Sequence, residues 1–164
     1  MICGEEEFSI CALSLCMRYE GGLARRLYDH YGSARPVFSR PLPELVCHKG
    51  MRRSIVEKMT DPSLPEQVSD VLQWLRSVNI RTVFLYDDEY PYRLRECPDA
   101  PLLLYVAGQS VLNEGPVLSV VGTRKATPYG KALCREIISG FKPLGIKPVI
   151  VSGLAFGIDI TAHR

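Results

Sequence analysis

Apolar residues in the first part of the chain recur at the spacing of helices rather than strands. A helix candidate over residues 8–19 ends before the Gly21–Gly22 pair. A second candidate, residues 23–31, carries leucine or tyrosine at every fourth position. Proline and glycine then divide the chain into shorter helical pieces, and valine and leucine line one face of the last and longest of them. These remaining candidates are residues 44–47, 52–59 and 68–78.

The pattern changes to β-rich runs near residue 81. Residues 82–86 and 102–108 are rich in β-branched, aromatic and leucine residues, and a loop with three prolines separates them. Two later runs, 117–121 and 149–151, are apolar without helical periodicity, which is typical of strands covered on both faces. Between these two runs, the threonine–proline pair at 127–128 predicts the start of a helix.

The order of these elements predicts an α/β chain with two domains. Residues 1–80 are expected to form a small all-helical domain of the SAM or helix-hairpin-helix-like kind. Residues 81–164 are expected to form a partial Rossmann-like domain, a mostly parallel sheet flanked by helices. This second part has about half the length of an ordinary doubly wound domain, so we expect the chain to be a fragment or a shortened form.

The glycine pair between the first two helix candidates allows two interpretations. Two helices joined by a glycine-containing turn resemble a helix-hairpin-helix, a module whose turn backbone contacts DNA phosphates, and Arg25 and Arg26 stand beside the turn. A tight helical hairpin without any ligand explains the same pattern and is slightly favoured, because short glycine turns are common.

Two glycine turns follow the two later strand runs. Residues 122–125, a glycine, a threonine and two basic residues, end the first run, and Ser152 and Gly153 end the second. Gly157 then lets backbone or ligand approach closely. Ligands bind at the carboxyl ends of strands in open α/β sheets, and the amino end of the following helix favours an anion. The sequence therefore predicts a site for phosphate or a polyanion at this edge.

Charge and cysteine content narrow the possibilities only in part. The formal net charge is +2, but residues 115–164 contain seven basic and two acidic residues, an excess equally typical of a solvated face. The six cysteines include no CxxC pair and have no neighbouring histidines at the spacing of metal ligands, which indicates reduced thiols in a cytoplasmic protein and no metal site. The apolar run near the amino terminus is short and follows acidic residues, so we expect no membrane span and no secretion signal.

Three separated motifs, in order, carry a resemblance to a known family. They are YPYRL at 90–94 with PLLLYVAG downstream, VVGTR with YG at 129–130, and SGLAFGID with AH at 162–163. Together they extend over roughly residues 85–164 and resemble the DNA-processing protein A family, DprA, also called Smf. The family commonly has serine where this chain has Thr123, a change that keeps the hydroxyl group.

The resemblance implies a cytoplasmic bacterial protein that binds single-stranded DNA, protects incoming strands in natural transformation and loads the RecA recombinase. It implies no catalysis and no cofactor, and a Rossmann-like domain that dimerises through its later part. A homodimer is therefore expected for the full-length protein. The later half of that sheet, which carries the dimer surface, is missing from this sequence. Dimerisation of this chain alone and its contact with RecA stay open.

The resemblance also implies which residues bind DNA. It places Arg124 in the DNA-binding pocket, and a guanidinium group suits that role because it grips phosphate in a fork and stacks on bases. Exposed lysines are weaker candidates, and each glycine also fits a turn that the fold requires. The candidate DNA- or phosphate-binding residues are Gly122, Thr123, Arg124, Lys125, Lys131, Ser152, Gly153, Ala155 and Gly157.

Ser152, Asp159 and His163 are the residue types of a nucleophile with acid–base partners. No G-x-S-x-G elbow or evident oxyanion site accompanies them, so we assign no catalytic residue. We expect Asp159 to cap a helix and His163 to donate a hydrogen bond on a helix face. Tyr129 and the tyrosines within residues 90–92 are candidates for base stacking, although tyrosines at the ends of elements commonly pack instead.

Two alternatives to a DNA-binding protein stay open. One is a nucleotide-handling enzyme of the lysine-decarboxylase-like phosphoribohydrolase group, although the PGG-x-GT-x-x-E loop of those proteins is absent here. The dinucleotide fingerprint G-x-G-x-x-G and the loop G-x4-GK-[ST] are absent too, since Gly130 is the next glycine after Gly122. The other alternative is a structural remnant whose half-sheet binds nothing.

Overall fold

The computed structural model of the chain describes residues 4–18, 20–109 and 112–164. Tyr19, at the end of the first predicted helix, lies outside the described residues. The chain divides into two compact units between residues 111 and 112, called the first and the second unit below. The predicted domain boundary lies earlier in the chain and stays a prediction.

Helices make up most of the first unit. They are α1 (Gly4–Cys16), α2 (Gly21–Tyr31), α3 (Leu42–Val46), α4 (Arg53–Met59), α5 (Leu64–Ser77) and α6 (Tyr92–Arg95), with a 3₁₀ turn (Arg35–Ser39) after α2. Ile10, Leu27 and Val68 are completely buried on the inner faces of α1, α2 and α5. The predicted amphipathic helix is confirmed as α5, which leaves Trp74 exposed on its flank.

The first two strands pair with each other inside the first unit. β1 (Ile80–Phe84) and β2 (Leu103–Ala107) are antiparallel, and they contact α5 and α1 respectively. The chain between them turns back as a loop that holds the buried side chain of Tyr90, instead of crossing over as a long helix. In place of one mostly parallel sheet, the described residues therefore form two small sheets, of which this one is antiparallel.

The glycine pair begins α2 and does not form a free turn. A Cβ atom on Gly21 would lie 2.6 Å from the carbonyl oxygen of Asp99, so glycine is needed for the loop before β2 to pack there. Arg25 donates from Nη1 to the carbonyls of Arg95 and Cys97, at 2.8 and 3.0 Å. These contacts are those of a tight helical hairpin, in which the loop before β2 packs on the start of α2.

The second unit contains the predicted strand–helix–strand order. β3 (Val117–Ser119) runs parallel to β4 (Val149–Val151), and α7 (Pro128–Ser139) lies between them in the chain. The predicted start of α7 is confirmed, since Oγ1 of Thr127 accepts a hydrogen bond from the amide of Gly130 at 3.1 Å. A short helix, α8 (Ile158–Thr161), follows β4.

The expectation that both faces of these later strands are covered is wrong for the second unit. The side chains of Val117 and Val151 are exposed, and Val121 just beyond β3 is 82% exposed. The described part of the second unit pairs these two short strands with only two helices, α7 and α8, and these leave strand side chains uncovered. An apolar run without helical periodicity therefore indicated the strand correctly but not its burial.

Replacement of the buried tyrosine in the β1–β2 loop tests how that loop is held. Burial raises the pKa of Tyr90 to about 12, and its hydroxyl donates to the carbonyl of Pro101 at 2.8 Å. Because the folded pKa exceeds the unfolded value, stability is fully present below about pH 10 and is lost as the pH rises towards about 12. Tyr90→Phe should be about 1 kcal/mol less stable than the parent chain near neutral pH, because a hydrogen bond is lost. Between about pH 10 and pH 12 it should lose less stability than the parent chain does.

Urea unfolding followed by the fluorescence of Trp74, the one tryptophan of the chain, measures both effects. Tyr92→Phe, at an exposed tyrosine of α6, is the control and should keep the parent's dependence on pH. An equal loss of stability on alkalinisation in Tyr90→Phe and the parent chain would show that Tyr90 is not the buried phenol described here.

Candidate functional site

A single carboxylate joins the ends of the two parallel strands. Asp159 in α8 is buried, and its Oδ1 accepts a hydrogen bond from the amide of Gly122 at 3.0 Å. Its Oδ2 accepts from the amide of Gly153 at 3.1 Å. Gly122 follows β3 and Gly153 follows β4, so each carboxylate oxygen holds the backbone just after one strand. The two predicted turns therefore lie side by side at one edge of the second unit.

The glycines at this edge are required by close packing. A Cβ atom on Gly122 would lie 2.5 Å from Cβ of Ile158, a distance that real side chains do not adopt. Gly157 has a φ of +99°, and a Cβ atom there would lie 2.1 Å from the carbonyl oxygen of Thr123. The amide of Ile158 also donates to that carbonyl at 3.3 Å. The loop before α8 is thus packed directly against the turn that carries Arg124.

These contacts correct one part of the sequence interpretation. The amides of Gly122 and Gly153 were expected to be available to a phosphate, yet both donate to Asp159. A buried polar group takes a partner inside the fold when one is in reach, and here the partner is the carboxylate. The two glycines therefore contribute the shape of the edge and not free N–H donors.

The two hydroxyl groups of the predicted site also make local hydrogen bonds. Oγ1 of Thr123 accepts from the amide of Lys125 at 3.2 Å, and Oγ of Ser152 accepts from the amide of Leu154 at 3.0 Å. Such bonds from a side chain to the backbone two residues ahead fix the course of a turn. Ser152 in addition lies 2.8 Å from Nε2 of His163.

The serine, histidine and aspartate do not form a catalytic triad. A triad needs the carboxylate to orient the imidazole, whereas Asp159 binds two backbone amides. No hydrogen bond joins Asp159 to His163 within the described residues 112–164. The expectation that Asp159 caps its own helix is wrong as well, because its partners belong to the two strand-end turns. His163 makes a hydrogen bond as expected, with Ser152 as its partner.

The basic residues of the site differ in their exposure. Arg124 and Lys125 are exposed, and neither side chain makes an ion pair or a hydrogen bond with any residue that the structure describes. Lys131, in the first turns of α7, is half-buried, as is Ala155 in the loop before α8. The ion pairs found among the described residues lie in the first unit. The two adjacent cations at residues 124 and 125 therefore face solvent without an internal counterion.

Sequence reasoning missed an exposed aromatic residue at this edge. The side chain of Phe156 is 81% exposed, between Ala155 and Gly157 in the loop that packs against the Arg124 turn. Tyr129 in the first turn of α7, weighed as a stacking candidate, is 77% exposed. The available signal was a phenylalanine between two small residues after a strand. The sequence interpretation considered only the small residues and the glycines of this loop as candidates.

Other parts of the described chain offer less chemistry. A cavity of about 910 Å³ in the first unit is lined mainly by apolar side chains such as Met17, Leu75 and Trp74. The described residues contain no group of three or more metal-ligating side chains. The cysteines that the structure describes are free thiols, and Cys3 lies outside the described residues. None of the described helices has the length and apolar character needed to cross a bilayer.

Comparisons with known proteins agree in pointing to one family. A family model described as DNA recombination-mediator protein A matches residues 81–164. The DNA processing protein DprA of Streptococcus pneumoniae (strain ATCC BAA-255 / R6) is 42% identical over 79 residues, which cover 48% of this chain and 27% of that protein. The DNA processing protein DprA of Bacillus subtilis (strain 168) is 36% identical over 103 residues, 62% of this chain and 33% of that protein.

A longer match includes part of the helical region. A DprA protein of Mycobacterium tuberculosis (strain ATCC 25618 / H37Rv) is 34% identical over 134 residues, 74% of this chain and 31% of that protein. The chain therefore spans about a third of the length of the curated relatives that it matches.

Replacement of the bridging carboxylate tests the geometry of the edge. Asp159→Asn keeps one oxygen but places an NH₂ donor against the second amide, so one of two backbone N–H groups loses its acceptor. We expect the second unit to lose about 1 to 3 kcal/mol of stability. Amide hydrogen exchange measured by NMR should show roughly ten- to hundred-fold weaker protection at Gly122 or Gly153.

Glu136→Gln, at an exposed carboxylate of α7, is the matched control and should leave both amides protected. If exchange at Gly122 and Gly153 were the same in Asp159→Asn and in the parent chain, the bridge between the strand ends would be refuted.

Proposed function

Because the chain belongs to the DNA recombination-mediator protein A family, we propose that it is the single-stranded-DNA-binding part of a DprA/Smf protein. In the longer protein this part protects incoming strands during natural transformation and takes part in loading RecA. The names of the relatives support a role in DNA processing, and the exposed cations at the strand ends supply a place where DNA binds.

The finer fold description is part of the same proposal. Residues 81–164 correspond to the start of a Rossmann-like domain, and residues 1–80 to a small helical domain of the SAM or helix-hairpin-helix-like kind. The parallel pairing of β3 and β4, with α7 between them in the chain, supports this assignment. Homodimerisation is assigned to the full-length DprA/Smf protein, through the later part of its Rossmann-like domain, and not to this chain alone.

The observation that carries the proposal is the state of Arg124. Its guanidinium is exposed and has no acidic partner among the described residues, although its backbone is held against the loop before α8. A fixed backbone with an unpaired guanidinium is prepared for an anionic ligand, because no internal ion pair has to be broken on binding. Arg124 binds phosphate through its planar fork, and Lys125 adds a second positive charge.

The other predicted residues have supporting roles in this proposal. Gly122, Gly153 and Gly157 allow the strand ends and the loop to pack closely, and Thr123 and Ser152 hold the shape of the two turns. Lys131 contributes to the local positive charge from a half-buried position, and Ala155 leaves room beside the loop. Binding of this kind reads phosphates and no base edges, so it has no sequence preference.

A catalytic function has less support. The arrangement of Ser152, Asp159 and His163 lacks the contact between carboxylate and imidazole that a nucleophilic triad uses. The comparisons give no support to the phosphoribohydrolase alternative, whose characteristic loop is absent from this sequence. We therefore propose binding, and not bond cleavage, as the work of this edge.

Replacement of the exposed arginine tests the proposal directly. Arg124→Ala should lower the affinity for a fluorescently labelled oligothymidine about ten-fold, because a charge-assisted contact to phosphate is lost. In a series of salt concentrations, the slope of log K against log [salt] should become shallower by about 0.7, the contribution of one phosphate on a single strand. Fluorescence anisotropy measures both quantities.

Two variants separate the position of the charge from its amount. Arg124→Lys keeps the charge and should keep the salt slope while it loses part of the affinity. Lys147→Ala removes a charge next to the amino end of β4, at the opposite edge from the turn, and should change affinity little. Binding by Arg124→Ala equal to that of the parent chain would contradict the role given to Arg124.

A further inference from the structure

We propose that Phe156 is a stacking platform for an unpaired nucleobase, placed beside the phosphate contact of Arg124. This inference rests on the proposed DNA-binding function and adds to it the part of the strand that is recognised. The contact proposed above for Arg124 is with phosphate, which a duplex also offers. An aromatic face beside it selects nucleic acid whose bases are free to leave their neighbours.

The exposure of Phe156 leaves its ring available to a ligand. The side chain is 81% exposed, although phenylalanine is among the residues most often buried in folded chains. Leu154, two residues earlier, is 61% exposed. Phe156 and Leu154 together place apolar surface at this edge beside the cations of residues 124–125, and apolar patches rimmed by polar residues mark sites of interaction.

The packing of the loop places Phe156 next to the Arg124 turn. The following residue, Gly157, lies so close to this turn that a Cβ atom would be 2.1 Å from the carbonyl oxygen of Thr123 and 2.8 Å from that of Arg124. On its other side, the carbonyl of Gly157 accepts a hydrogen bond from Oγ1 of Thr161 at 2.6 Å. The backbone beside Phe156 is therefore held from two directions, and the ring is attached to a fixed support.

The cations beside Phe156 favour a nucleic acid as its ligand, because a nucleic acid offers both phosphates and flat bases. Arg124 and Lys125 are the exposed charged residues of the adjacent turn. The carboxylate of Asp159 points inward to two amides, so it does not compete for these cations. A ring and two unpaired cations match the alternation of base and phosphate along a single strand.

Tyr129 supplies a second exposed ring near the same edge. Its neighbour Gly130 lies close to Ile158, the residue that also packs against Gly122. The first turn of α7, the Arg124 turn and the loop before α8 thus meet at one side chain. Successive bases of a strand that crosses this edge have two aromatic faces available.

The test compares variants of Phe156 on single-stranded and duplex DNA. Phe156→Ala should weaken binding of an oligodeoxyadenosine about ten-fold, in the range found for loss of one stacked base. The salt slope should stay that of the parent chain, because loss of stacking releases no counterions. Phe156→Trp should restore affinity, whereas Phe156→Leu, which is apolar but not aromatic, should not. Binding of duplex DNA should be the same in all of them.

A fluorescent base analogue and a distant aromatic variant complete the design. An oligonucleotide that contains 2-aminopurine should lose fluorescence on binding the parent chain, because stacking quenches it, and should lose less with Phe156→Ala. Trp74→Ala, at a 57% exposed aromatic residue of the first unit, should bind like the parent. Thermal unfolding of each variant verifies that the exposed substitution leaves the fold intact.

The outcomes distinguish this inference from the function on which it rests. If Arg124→Ala weakens binding and Phe156→Ala does not, phosphate binding stands and the stacking role is refuted. If Phe156→Leu binds as well as the parent chain, an apolar contact and not stacking explains the residue, and the inference is wrong. If the parent chain binds no single-stranded DNA, the proposed function and this inference both fail.

Discussion

The carboxylate of Asp159 is the interaction on which the second unit depends. It is buried and accepts one hydrogen bond from each of the two amides that follow the parallel strands, Gly122 and Gly153. Three-residue strands make few ladder hydrogen bonds of their own, so a shared acceptor beyond their ends adds stability where the pairing stops. The position of Asp159 also brings Ile158 against Gly122, which excludes any side chain at that glycine.

This arrangement separates holding the backbone from binding a ligand. The polar groups that shape the two turns, the amides of the two glycines and the hydroxyls of Thr123 and Ser152, make hydrogen bonds within this unit. Groups that face outward, the cations of residues 124–125 and the ring of Phe156, have no partner among the described residues of this unit. Under the proposed function, this edge would bind DNA without reorganising its own hydrogen bonds, which limits the cost of association.

Local features of the structure could be predicted from the sequence, and long-range ones could not. The cap at Thr127, the amphipathic face of α5 and the β-rich runs depend on neighbouring residues, and all are present. The antiparallel pairing of β1 with β2 depends on how a loop turns back. The role of Asp159 depends on two amides that are 37 and 6 residues away in the chain, which spacing alone does not reveal. The same holds for the glycine pair of α2, whose contacts come from the loop before β2.

DNA binding at the strand-end turns is tested most directly by titrating the ¹⁵N-labelled chain with an oligothymidine and following each amide by NMR. We expect the shifts to concentrate at residues 123–125 and 154–157, and the amides of Gly122 and Gly153 to stay protected from exchange in the bound state. Shifts centred on the glycine pair and arginines of α2, with none at the strand-end turns, would contradict this expectation.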